Sequence, residues 1–135
     1  MCALCTPPLT ALGHGFWLSV SDGSARGWQA LTLSGYTRNV SILRNSFTLI
    51  GGNTISLLGK TTMPNADPAL QGIFGWDGRE GDQPRFTTVA GNIASRLGVW
   101  EKQSSFYFQS KSCQNTITEN IVYGDPRCGI NFNDG

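Results

Sequence analysis

Two carboxylates and a short set of amides carry the chemistry the sequence offers. Glu101 precedes Lys102 in the run VWEKQSS, and Asp134 follows Asn133 near the C-terminus. An Asp and a Glu held a few ångström apart can serve as acid and base in glycoside hydrolysis. Arg127, in GDPRCG, has the planar fork that pairs with the carboxylate of an acidic sugar. It would serve as a lyase base if its pKa were lowered. Tyr107, Gln109, Asn131 and Asn133 supply a ring to stack on sugar and amides that both donate and accept. Each has a plainer reading. Asp134 is then a turn former before Gly135, and Glu101–Lys102 a surface ion pair. Arg127 then bonds Asp125 or backbone carbonyls. The row of amides is a solvated sheet face.

Whether these residues meet depends on the scaffold, and a repeat indicates one. Asn45, Asn92 and Asn120 are its anchors. Ile42, Val89 and Ile117 stand three residues before them; Phe47, Ala94 and Val122 stand two after. Ile50-Gly51 and Leu97-Gly98 follow at matching offsets, with Asp125-Pro126 in the third copy. Ile55 and Leu57 then match Ile130 and Phe132. Phe106 and Phe108 join them if four residues are inserted around 100–103.

The period is about 24 residues, with three short alternating runs per copy. Alternation at period two means strand, and Gly, Asn and Pro between the runs mark corners. Three short strands per copy predict an all-β parallel solenoid of three to four coils. An antiparallel sandwich would explain the alternation but not the fixed Asn-centred spacing. The aligned asparagines are expected to bond from copy to copy as a ladder. On this alignment Leu31/Leu33, Ile55/Leu57, Phe106/Phe108 and Ile130/Phe132 face inward. Thr32, Ser56, Tyr107, Asn131 and Ser34, Leu58, Gln109, Asn133 form two outward rows. With copies stacked about 4.8 Å apart, the bulge bearing Glu101 and Lys102 is expected to overhang Asp134.

The chain divides into an irregular segment, 1–27, and the repeat region, 28–135, interrupted by an insertion at 59–84. That insertion is rich in Gly, Pro, Asp and Asn, and such insertions crowd the binding face of repeat proteins. Within it, Asp77, Glu80 and Asp82 are the set that could hold Ca²⁺; no other cofactor is implied. Of the four cysteines, Cys2-x-x-Cys5 lacks a second pair at metal spacing, and His14 is the one histidine. A Cys113–Cys128 disulfide is open, beside the reading of both as small buried residues. Net charge is +1, with charged residues only 14%, which argues against nucleic acid as partner. No apolar run approaches the roughly 20 residues of a membrane span. The opening residues carry no Lys or Arg and make a poor signal peptide. The last strand meets the terminus uncapped, so the chain is expected to be a fragment of a longer β-helix.

GYTRNVSILRNSFTLIGGNTISLLG resembles coils of right-handed parallel β-helix proteins with the pectate-lyase-like fold. The stretch from Gln83 to Gly135 is similar to an uncharacterised subgroup of these, in the runs EKQSS and PRCGINFNDG. The resemblance covers roughly residues 28–135. It implies an extracellular or cell-surface role with a polysaccharide or other glycan as partner. It carries over no catalytic residue, since β-helices host hydrolases, lyases and plain binding modules alike. The functional expectation is hydrolysis of an extended polysaccharide by a carboxylate pair, with lyase chemistry less favoured. The alternative is a non-catalytic glycan-binding or structural module, or an inactive partial product.

Overall fold

The structure, a computed structural model, describes residues 9–10, 29–59 and 83–133. Within them the chain is all-β, with no helix. Copy one of the repeat gives β3 (Ser41–Leu43), β4 (Ser46–Thr48) and β5 (Ile55–Leu58). Copy two gives β6 (Thr88–Ala90), β7 (Ile93–Ser95) and β8 (Ser105–Ser110). Copy three gives β9 (Thr116–Thr118), β10 (Ile121–Tyr123) and β11 (Cys128–Asn133). Two strands precede them, β1 (Leu9–Thr10) and β2 (Leu31–Ser34).

Each copy places one strand in each of three sheets, ordered β1-β3-β6-β9, β4-β7-β10 and β2-β5-β8-β11. All pairings are parallel except β1 on β3, where Leu9 lies opposite Ile42 and Thr10 opposite Ser41. That short antiparallel strand covers an edge which would otherwise expose unpaired backbone groups. It falls in the segment that shows no period in sequence.

The repeat spacing sets the register of the first two sheets. Ile42 pairs Val89, and Val89 pairs Ile117. Phe47 pairs Ala94, and Ala94 pairs Val122. These side chains belong to, or pack against, one buried cluster with Leu31, Leu33, Ile55 and Leu57. Strands of three residues bury little alone, so their stability comes from the neighbouring copies.

The third sheet corrects the alignment by one residue. Ile55 lies opposite Tyr107, not Phe106, and Leu57 opposite Gln109, not Phe108. On the other side Tyr107 meets Ile130, and Gln109 meets Phe132. The cause is local. The run FYF has no polar residue to fix its phase, so alternation cannot decide which aromatic faces in. Two hydrogen bonds decide it: Ser105 N donates to the Asn53 side-chain Oδ1 at 2.8 Å, and Thr54 N to Ser105 O at 3.0 Å. The bulge before β8 is therefore five residues long rather than four. The corner after it is one shorter: its left-handed residues, Lys111 and Gln114, stand three apart, where Gly35 and Asn39 stand four apart. Phe106 remains buried at the strand entrance, its ring 6.5 Å from that of Phe47.

The expected asparagine ladder is present. Asn92 Oδ1 accepts from Asn45 N at 2.9 Å and Asn45 Nδ2 at 3.1 Å. Asn120 Oδ1 accepts from Asn92 N at 3.0 Å and Asn92 Nδ2 at 2.8 Å. Asn92 Nδ2 also donates to Ile42 O, and Asn120 Nδ2 to Val89 O. The residue before each asparagine is left-handed: Arg44, Gly91 and Glu119, with φ of 55°, 65° and 55°. A left-handed non-glycine costs roughly 1–2 kcal/mol. The sharp corner it makes turns a main-chain N–H toward the next copy, where the asparagine oxygen receives it.

Asn92→Ala should therefore destabilise the protein by about 3 kcal/mol, because it leaves buried groups on both neighbouring copies unpaired. Asn120→Ala, at the end of the ladder, should cost less. Urea denaturation of the two variants measures the difference, and equal costs would contradict the ladder's role.

Candidate functional site

The bulge between β7 and β8 is held from both sides. Above it, Val99 N donates to Ile50 O at 3.0 Å, and Trp100 N and Glu101 N to Gly51 O at 3.1 and 2.9 Å. Internally, Lys102 Nζ donates to Gly98 O at 2.9 Å and Val99 O at 3.1 Å, and Ser104 Oγ donates to Glu101 O. Below it lies the corner between β10 and β11. Gly98 shows how close the two are. At φ +58°, a Cβ there would stand 2.5 Å from Pro126 Cγ and 2.7 Å from Glu101 O. Only glycine fits this point, where the Glu101 main chain and the Pro126 ring converge.

Asp125 occupies that corner. Its Oδ1 accepts from Arg127 N at 3.3 Å, and the Phe106 amide also bonds the carboxyl. Its Oδ2 is buried with no hydrogen-bond partner. Burial raises its pKa above the ordinary aspartate value of 3.8, and the two amides only partly offset this. A carboxyl whose pKa is raised by burial, at a corner packed against a bulge that bears a second acidic residue, is a candidate for acid–base chemistry. Two exposed aromatics flank the pair in sequence. Trp100 (65% exposed) precedes Glu101, and Tyr123 (59% exposed) lies two residues before Asp125. Both can stack on a sugar ring.

The residues expected to form the site part company here. Glu101 is half-buried in the bulge and Lys102 exposed beside it. Arg127 lies at the facing corner, also exposed, and its main-chain N–H bonds Asp125. Tyr107 and Gln109 do not join them. The corrected register removes both from the outward rows, and Tyr107 is completely buried. Its phenol donates to Gln109 Oε1 at 2.7 Å, while Gln109 Nε2 donates to Ser112 O at 2.5 Å. Asn115 Nδ2 adds bonds to Gln109 Oε1 and Ser112 Oγ. Burial pushes the Tyr107 phenol well above its usual range, so it stays neutral. These groups form a satisfied interior network, not a binding row.

The outward rows are instead Thr32, Ser56, Phe108, Asn131 and Ser34, Leu58, Ser110, Asn133. Asn131 and Asn133 hold their expected places on the edge strand. Asp134 lies outside the described residues, as do Asp77, Glu80, Asp82, His14, Cys2 and Cys5. Cys113 and Cys128 are both free thiols, with Cys128 Sγ 3.3 Å from Ser105 Oγ. Among the described residues no three His, Cys, Asp or Glu side chains group as for a metal. No helix among them is long and apolar enough to cross a membrane. Asp125 is the residue that sequence reasoning passed over. Asp-Pro reads as turn chemistry, and nothing in a linear pattern marks the burial of one oxygen. The position after Leu97-Gly98 in the repeat did align it with the bulge.

Compared with known proteins, the chain matches no family model, no curated protein and no solved structure.

Asp125→Asn tests the burial directly. A carboxyl with a raised native pKa holds its proton more tightly folded than unfolded. Its contribution is therefore full below pH 3.8 and is lost as pH rises through the native pKa. The asparagine variant should lose this falling limb and be at least as stable as wild type at neutral pH. Thermal melts across the acid range measure both; a parallel pH profile for the two proteins would refute the assignment.

Proposed function

We propose that the chain forms coils of a right-handed parallel β-helix that hydrolyses glycosidic bonds of an extended polysaccharide met outside the cell or at its surface. The reading rests on one observation: a carboxyl with raised pKa, Asp125, lies at the corner against which the Glu101 bulge packs. In this reading Asp125, protonated, gives its proton to the leaving glycosidic oxygen. Glu101, as carboxylate, attacks the sugar carbon or activates the water that does. The departing hydroxyl keeps Asp125's proton, and water supplies the proton that restores it. In this reading Trp100 and Tyr123 would stack on sugar, and Arg127 and Lys102 would bond its hydroxyls. Stacked parallel sheets and the resemblance of 28–135 to β-helix coils support the architecture.

One observation favours a non-catalytic module instead. With Tyr107 and Gln109 in the interior and Ser56 fully buried, the third sheet offers no continuous polar row for a glycan. The protein would then be a binding or structural β-helix.

Turnover on a panel of neutral and acidic polysaccharides separates the two. The hydrolytic reading expects reducing ends, with Asp125→Asn and Glu101→Gln each lowering the rate by about 10²- to 10⁴-fold. In Asp125→Asn the fall of activity with rising pH should also vanish. A matching loss in Asp134→Asn with full activity in Asp125→Asn would move the acid to Asp134. Unchanged turnover in all three would end the carboxylate-pair reading.

A further inference from the structure

The strongest unmatched group among the described residues lies at the opposite end of β8. The strand leaves its sheet at Lys111, which adopts φ +54°. Lys111 is only 7% exposed, and its Nζ is buried with no hydrogen-bond partner. A lone ammonium is among the costliest groups to remove from water, and lysine ordinarily avoids this by extending its head to solvent.

Among the described residues no acidic side chain lies at this corner to neutralise it. Gln83, itself 7% exposed, gathers the other cations of the corner. Arg38 Nη1 donates to Gln83 O. With the Gln83 amide oriented to satisfy its neighbours, Arg85 Nε and Nη2 donate to its side-chain oxygen at 3.2 and 2.7 Å. Its nitrogen then donates to Lys111 O at 3.1 Å. Arg38 and Arg85 also face each other across a parallel bridge. Gly59 fixes the close packing, since a Cβ there would stand 1.9 Å from Lys111 O and 2.7 Å from Lys111 Cβ. The acidic residues among those described are Glu101, Glu119 and Asp125, and all sit at the other two corners of the repeat. The corner therefore gathers two arginines and a lysine whose buried ammonium has no hydrogen-bond partner.

We propose that this corner binds a single oxyanion, with its charge seated on Lys111 Nζ and Arg85 as the second cation. The ligand chemistry is a small oxygen-borne negative charge, either a free inorganic ion or the carboxylate of a larger molecule. The site lies away from Glu101 and Asp125, and it stands whether or not those residues catalyse hydrolysis.

The test is calorimetric titration and thermal denaturation of the full chain in chloride buffer. Sulfate and phosphate represent the inorganic source, and acetate the carboxylate. Wild type should bind at least one of them saturably, and which one responds names the source. Lys111→Met keeps the aliphatic stem and removes the charge. It should bind about 10- to 100-fold more weakly, yet be at least as stable as wild type without oxyanion. Sulfate and phosphate also stabilise proteins non-specifically, so the decisive quantity is the gain in Tm of wild type over Lys111→Met at equal concentration. Should that variant fail to fold, Arg85→Gln decides in its place by the same weakening. No saturable binding of any of the three anions, or equal binding by wild type and variant, overturns the proposal.

Discussion

A parallel stack of strands only three to six residues long depends on what happens at its corners. Each strand satisfies its own backbone through its neighbours, but the residue that turns the chain cannot. At the corner between the first and second sheets, the ladder of Asn45, Asn92 and Asn120 supplies the missing acceptors and donors. Each asparagine closes bonds with the copy beside it, so a corner is satisfied only when two copies are in register. This ties the stability of each copy to correct stacking, beyond what non-directional apolar burial could specify. The left-handed residues that precede the asparagines are the conformational cost of the same arrangement.

Such a corner explains why the first two sheets were legible in the sequence. Asparagine is rarely buried without a reason, and the ladder needs it at a fixed phase relative to the strands. Ile42, Val89 and Ile117 could be aligned from the anchors alone, and so could Phe47, Ala94 and Val122. The third sheet has no comparable anchor. Its phase there depends on Asn53 accepting from Ser105 N, a bond that spans two copies and follows no repeating sequence signal. In FYF, hydrophobicity cannot distinguish a one-residue slip. The slip moved Tyr107 and Gln109 from a supposed binding face into the interior. The strand β1 was illegible for a related reason: two residues pairing antiparallel carry no period.

The candidate site divides along the same line. Glu101 and Lys102 could be placed in a bulge because an insertion breaks the spacing, and breaks are visible. Their partner could not be placed, because what marks Asp125 is one oxygen, Oδ2, buried without a partner while Oδ1 accepts from the Arg127 amide. That depends on Gly98 letting the bulge close on Pro126, a contact between copies separated by some 28 residues of chain.

Satisfaction of polar groups thus gives a way to separate scaffold from function in a repetitive fold. Tyr107, Gln109, Ser112 and Asn115 have the composition of a sugar-binding row, yet they bond one another, and a network that is complete internally has little left for a ligand. The two ends of β8 are different. One meets an aspartate with an orphaned oxygen, the other a lysine with an orphaned ammonium. A six-residue strand at about 3.3 Å per residue keeps them roughly 17–20 Å apart, too far to neutralise each other across solvent. Stacking alone gives no reason for either titratable group, since asparagine and methionine would fill the same space without the cost of burying an ionisable side chain. Their retention at opposite corners of one strand locates the residues whose identity the scaffold does not require.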